Sequence, residues 1–167
     1  GIYIYFKNGE LQHFLIVYVD DIIAAGHGEE WIIPLKNQLN DHFEITYDGT
    51  ADWVLGMGID YNSDGSITLH QTKYINDMLY NFKLDEANPV LTPMAIGFDE
   101  DADSPVLPPE VPYASLVGSL NYAAVCTRPD IAFAVSTLCR HMKNPTQNHW
   151  QAAKRVLRYL KGTKHYG

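Results

Sequence analysis

The sequence predicts an α+β fold, a mixed α/β chain in which antiparallel hairpins come first and helices last. Three observations carry this. The N-terminal half consists of short aromatic and β-branched runs separated by turn residues, with Asn8-Gly9 the strongest turn signal. From Tyr113 onward the apolar residues recur at helical spacing. Between these parts, residues 83–112 hold six of the nine prolines and read as an extended connection. The expected organisation is therefore 1–82, mainly hairpins; 83–112, a Pro-rich acidic linker; and 113–167, helices.

Composition bounds the rest. A chain of 167 residues that is 46% hydrophobic can bury a real core. No apolar run reaches the roughly 20 residues that span a bilayer, and no signal peptide is visible, so no membrane partner is expected. Two cysteines, Cys126 and Cys139, make no disulfide framework, and a reducing, intracellular setting is the default. With His141 and His149 they also lack the spacing of a zinc site. The first residue is Gly, so a piece of a longer chain is expected.

The net charge of −8 argues against a nucleic-acid partner until its distribution is seen. Residues 1–110 carry 4 Lys/Arg against 19 Asp/Glu, whereas residues 111–167 carry 8 against 1. The basic part can meet phosphates while the acidic part does something else.

In chain order, Ile2–Phe6 is a strand and Leu11–Val19 its hairpin partner. Residues 29–42 have an amphipathic helical pattern, with Glu29 and Glu30 favouring its first turn and Pro34 tolerable only there; its Trp31, Leu35 and Leu39 stripe predicts packing under the sheet. Phe43–Tyr47, Trp53–Tyr61 and Ser66–His70 read as strands, the last two joined by a turn at 62–65. Gly56 and Gly58 inside the second of these imply a β-bulge or the close approach of a backbone or ligand. Thr72–Phe82 is a helix with a core stripe. The acidic run Asp99-Glu100-Asp101 with Asp103 reads as a solvated loop.

Tyr113–Ala124 is a helix in which Gly118 costs about 1 kcal/mol against Ala, so a close neighbour is expected there. Pro129 opens the next helix, Ile131–Met142. The last helix, His149–Gly162, takes Asn148 as its cap. It carries a basic stripe of Lys154, Arg158 and Lys161, with Arg155 beside it, read as either a phosphate-binding or a solvated face.

The stretch with chemistry in it is Tyr18-Val19-Asp20-Asp21, where two adjacent acidic residues interrupt an apolar run. The pattern predicts a tight hairpin with Asp20-Asp21 at the bend. Asp-Asp fits such a turn poorly, and two carboxylates about 4 Å apart repel by roughly 4 kcal/mol at an effective dielectric near 20. A divalent cation with oxygen ligands reverses that sign, and two-metal sites drive in-line phosphoryl transfer.

These residues resemble the Tyr-x-Asp-Asp motif of reverse transcriptases, in the form seen in copia-type LTR retrotransposons. Leu91-Thr92-Pro93-Met94, Arg128-Pro129-Asp130-Ile131 and the run from Ala152 to Thr163 resemble the same family in the same order. The resemblance implies a partial polymerase palm followed by a helical thumb, with RNA-directed DNA polymerase activity, Mg²⁺ (or Mn²⁺) as cofactor, and a template–primer duplex of RNA or DNA and a dNTP as partners. It implies metal-holding, catalytic roles for Asp20 and Asp21. Tyr18, and Met57-Gly58 in a primer-grip-like hairpin, would support the primer end. Gly118 and Tyr122 would face the duplex minor groove, and Lys154 and Arg158 would meet phosphates. It also implies a further metal-binding Asp before residue 1, a ribonuclease H domain after residue 167, and no activity for this stretch alone. The enzyme would work in a cytoplasmic particle or the nucleus. The alternatives are a non-catalytic transposon remnant that at most binds nucleic acid and, with less support for want of a suitably spaced third acidic residue, a carboxylate-based nuclease.

Overall fold

The computed structural model describes residues 1–28, 30–47, 49–99 and 103–167. They form two compact units, Gly1–Ala51 and Asp52–Gly167.

The first unit is a three-stranded antiparallel sheet, β1 (Ile2–Lys7), β2 (Glu10–Tyr18) and β3 (Asp21–Gly26), in that order. Asn8 and Gly9 both take positive φ, 54° and 81°, as the Asn-Gly signal requires. One helix follows, α1 (Ile32–Asn40), shorter than the helical pattern suggests. Pro34 lies in its first turn, where the missing N–H has no helical partner to lose. Glu29, expected in that turn, lies outside the described residues. None of the residues of α1 is fully buried, which corrects the expected core packing. Trp31 instead lies flat on His13 of β2 at 4.1 Å, and His13 in turn stacks on Tyr5 of β1 at 5.7 Å. Phe43–Tyr47 is not a strand: its residues have no ladder partner among those described, and strand propensity without a neighbour to pair with does not make a strand.

The second unit opens with a smaller antiparallel sheet, β4 (Trp53–Val54), β5 (Met57–Tyr61) and β6 (Ile67–His70). Four helices follow: α2 (Thr72–Asn81), α3 (Tyr113–Cys126), α4 (Ala132–Cys139) and α5 (Gln147–Gly162). Its core joins Ile75 and Leu79 of α2 to Leu116 and Leu120 of α3, Leu138 of α4 and Leu157 of α5. Burial of this kind stabilises by about 25 cal/mol per Å² of apolar surface and holds the helices together.

The described residues of 83–112 contain no helix and no named strand, as the prolines dictate, but they are built into this unit. Leu107 is buried, its N–H donates to the Pro145 carbonyl at 2.9 Å, and the Gln147 N–H donates to Pro105 at 2.8 Å. Thr146, not Asn148, caps α5: its backbone N–H donates to Nδ1 of His149 at 2.9 Å, closing a capping box. The Asn148 side chain donates to the Asp99 carbonyl at 2.7 Å. Glu100 and Asp101 of the acidic run lie outside the described residues.

Between α3 and α4 a 3-10 turn, Pro129–Ile131, follows the one charged side chain that the described core encloses. Arg128 is 1% exposed. Its Nε and Nη2 form a fork on the Asp130 carboxylate at 3.0 and 2.7 Å. Nη1 donates to the carbonyl of Thr163 and Nη2 to its hydroxyl, at 2.9 and 2.6 Å. The rings of Tyr159 and Tyr166 lie 5.7 and 5.4 Å from the guanidinium carbon. One side chain thus ties the α3–α4 joint to the C-terminal end of α5.

Arg128→Ala removes these hydrogen bonds and leaves a cavity, while Asp130, a third exposed, can still be hydrated, so the change should cost about 2–5 kcal/mol by urea unfolding. Arg128→Lys should also destabilise, because a point charge cannot reproduce the fork. Burial pushes the Asp130 carboxyl up, but the hydrogen bonds from Arg128 and Tyr159 outweigh it and hold the group below its ordinary range. A folded-state value below the unfolded one stabilises the protein above the ordinary Asp pKa of about 4 and is lost as pH falls through the folded value. Stability measured from pH 6 to pH 2 should therefore fall more steeply in the parent chain than in Arg128→Ala.

Candidate active-site hairpin and nucleic-acid face

The register of the acidic hairpin differs by one residue from the sequence expectation. Tyr18 pairs with Asp21, so the two-residue loop is Val19-Asp20 and Asp21 is the first residue of β3. This register keeps Val17 opposite Ile22 and Ile16 opposite Ile23. A bend at Asp20-Asp21 would keep each β3 side chain on its face but slide it two residues along β2, with Ile22 opposite Val19 and Ile23 opposite Tyr18. Positive φ falls on Val19 alone within the loop, at 54°. For a β-branched residue that is a strained conformation costing on the order of 1–3 kcal/mol. Tyr18, Val19, Asp20 and Asp21 are all exposed at the tip. Among the described residues neither carboxylate enters a salt bridge. Two adjacent, exposed carboxylates repel each other, a cost that a hard cation with oxygen ligands would reverse. No group of three or more His, Cys, Asp or Glu residues that could hold a metal ion assembles among the described residues.

The glycine-containing hairpin is also rearranged. Trp53–Tyr61 is not one strand but two, β4 and β5, joined by a Leu55-Gly56 loop. Leu55 and Gly56 both have positive φ, 46° and 78°. Gly56 thus supplies a turn, and no bulge is involved. Gly58 lies opposite His70 of β6, and a Cβ at Gly58 would sit 2.5 Å from Cε1 of that ring. The close approach that a strand glycine implies is made here by the imidazole. His70 accepts the Thr72 N–H at Nδ1, 3.3 Å, and its Nε2 lies 3.3 Å from the Asp60 carboxylate.

On α3, a Cβ added at Gly118 would meet nothing within 4 Å, so no neighbour among the described residues accounts for the glycine, contrary to the expected packing contact. Tyr122 is 37% exposed, and its hydroxyl donates to the Leu55 carbonyl. Its ring meets Tyr74 of α2 edge-on, centroids 5.2 Å apart.

The basic stripe of α5 is neither bare nor merely solvated. Lys154 lies 5.6 Å over the Trp150 ring. Arg155 donates to Thr92 at 3.0 Å, Arg158 Nε to the Asn88 carbonyl at 2.7 Å, and Lys161 to the Asp85 and Ala87 carbonyls. Three of these four cations lace residues 85–92 onto the helix.

Tyr18, Asp20 and Asp21 lie in the first unit, and Met57, Gly58, Gly118, Tyr122, Lys154 and Arg158 in the second. Sequence reasoning missed Leu55, which is an ordinary apolar residue by type, and Arg128, whose signal was the Arg-Pro-Asp run. Among the described residues no helix is long and apolar enough to cross a membrane.

A hairpin tip with two adjacent carboxylates offers oxygen donors of the kind a divalent cation accepts. Comparison with known proteins gives the family. The chain belongs to the reverse transcriptase (RNA-dependent DNA polymerase) family, which matches residues 1–96. It is 41% identical, over 96% of its length, to the retrovirus-related Pol polyprotein from transposon TNT 1-94 of Nicotiana tabacum, of which it covers 13%. It is 37% identical over 96% of its length to the Pol polyprotein from transposon RE2 of Arabidopsis thaliana, covering 11%. An uncharacterised mitochondrial protein of Arabidopsis thaliana is 34% identical over 92% of the chain, and the chain spans 63% of it. No solved structure matches.

The Gly58–His70 contact makes a testable claim. Gly58→Ala should destabilise the chain by about 1–3 kcal/mol through overpacking. On a His70→Ala background the same change should cost much less, and a double-mutant cycle by thermal unfolding reads the difference.

Proposed function

We propose that this chain is the catalytic-hairpin and thumb portion of a copia-type retrotransposon reverse transcriptase. The Asp20-Asp21 pair on its strained tip, in a chain of the reverse transcriptase family, carries the reading. In the complete polymerase Asp20 and Asp21 hold a divalent cation, Mg²⁺ with Mn²⁺ as a substitute. Such an ion, when bound, would stabilise charge on the attacking 3′-oxygen of a primer and on the departing pyrophosphate of a dNTP. Tyr18, exposed at the end of β2, supports the primer terminus, and Met57-Gly58 keep it in line. The open face of α3 at Gly118 follows the minor groove of the template–primer duplex, while Lys154 and Arg158 contribute positive potential toward phosphates. The setting proposed is intracellular, in a cytoplasmic particle or the nucleus.

A second reading, a transposon remnant that binds nucleic acid without catalysis, draws on the pair standing without a third acidic or His/Cys ligand among the described residues. Both readings expect the isolated chain to be inactive, since two carboxylates bind Mg²⁺ weakly.

The 167-residue chain alone should leave a primer unextended on an RNA template. Placed in the matching stretch of the tobacco polyprotein, it should support Mg²⁺-dependent extension, and Asp20→Asn should reduce that to background with circular dichroism unchanged. Extension by the Asp20→Asn variant would remove Asp20 from the metal site, and no extension by the parent chimaera would favour the remnant.

Gly118→Leu separates a groove contact from a packing role. Since nothing lies within 4 Å of a Cβ there, the change should hold or raise thermal stability, by up to about 1 kcal/mol from helix propensity. It should nonetheless weaken template–primer binding in fluorescence anisotropy, with the salt slope of about 0.9 per neutralised phosphate retained.

A further inference from the structure

Leu55 is an apolar residue held at φ 46° in the two-residue loop that leads into Met57-Gly58. A residue with a bulky side chain stays in the left-handed region only where its surroundings over-determine it. The surroundings here are specific. The Tyr122 hydroxyl of α3 donates to the Leu55 carbonyl, the peptide oxygen between the two positive-φ residues. The same oxygen of Tyr122 lies 3.4 Å from where a Cβ of Gly56 would stand, so the loop sits directly against the phenol. Tyr122 is itself held: its ring packs edge-on against Tyr74, and the Tyr74 hydroxyl donates to the Ser119 carbonyl one turn back on α3, at 3.2 Å. The path from α2 through α3 to the loop is continuous.

We propose that Tyr122 is a positioning residue: its hydroxyl anchors the strained Leu55-Gly56 loop to α3 and thereby sets where Met57-Gly58 stand at the primer terminus. The second half of this rests on the polymerase reading above; the anchoring half does not. The role differs from direct contact with the duplex groove, which the sequence alone suggested for this tyrosine. A helix that follows the duplex and a hairpin that aligns the primer end are then mechanically linked through the Tyr122 hydroxyl. Movement of α3 as the duplex enters is transmitted to the loop through the Leu55 carbonyl.

Tyr122→Phe removes the donor and keeps the ring on Tyr74. In the 167-residue chain, the amides of residues 55–58 should exchange with deuterium at least tenfold faster, with the melting temperature nearly unchanged. In the chimaeric polymerase, kcat for the first nucleotide added should fall while the duplex Kd and its salt slope stay constant, because alignment and not binding is lost. Unchanged exchange at 55–58 overturns the anchor. A raised duplex Kd with unchanged kcat overturns the positioning role in favour of groove contact. A parent chimaera that extends no primer removes the polymerase reading and the primer half of this inference, whereas the exchange measurement still decides the anchor.

Discussion

The second unit depends on enclosing one guanidinium. Taking Arg128 out of water is expensive, and a lone ion pair seldom offsets the desolvation. Here the cost is met from several sides: a fork on Asp130, two bonds to Thr163 and two tyrosine rings. Because Asp130 lies two residues away and Thr163 more than thirty, only the assembled fold makes all four of these bonds. Helix α4 carries little charge, and α3 is apolar around most of its circumference, so surface chemistry does not dictate their crossing. Arg128 adds a polar tie from the α3–α4 joint to the end of α5, beside the apolar core that supplies the bulk of the stabilisation.

The same logic explains the asymmetry of charge. A Pro-rich segment cannot pair its own backbone in helices or ladders, so the carbonyls of residues 83–112 need outside donors. The basic stripe of α5 supplies them through Arg155, Arg158 and Lys161. The cations that make this half look like a phosphate binder are therefore partly occupied in holding the connection down. Lys154, over Trp150, lies at the other end of the stripe. Net charge describes the field around the helix, and the hydrogen bonds decide which cations have donors left for a ligand.

The two short hairpins share a device. Each places an apolar residue in the left-handed region at the first loop position, Val19 before Asp20 and Leu55 before Gly56. Asn8-Gly9 does the same job without strain, since Asn and Gly tolerate such backbone. Strain at the two loops the family reading connects with metal and primer, and its absence at the third, agrees with the tendency of strained backbone to gather at functional sites. In the second loop the compensating bond is visible, from Tyr122. In the first, the close-paired strands are what the structure shows, with six residue pairs between β2 and β3.

Much was determined by sequence. Aromatic and β-branched runs and Asn8-Gly9 settled the first hairpin, helical periodicity settled α2, α3 and α5, and prolines kept helices and named strands out of the described residues of 83–112. Tyr18-Val19-Asp20-Asp21 identified the family before any coordinates. What sequence left open was decided by pairing partners. Hairpin register moved the bend from Asp20-Asp21 to Val19-Asp20, because cross-strand pairing, not the turn residues' own preference, minimises the total. Trp53–Tyr61 broke in two because Gly56 could turn and because Tyr122, distant in sequence, could hold the turn. Phe43–Tyr47 had strand propensity and no neighbour. Gly58 makes room for His70, and Gly118 makes room for nothing among the described residues, yet the two look alike in sequence. A residue's type records what it can do; which of its contacts is made depends on groups brought near by the rest of the fold, and that information is not local.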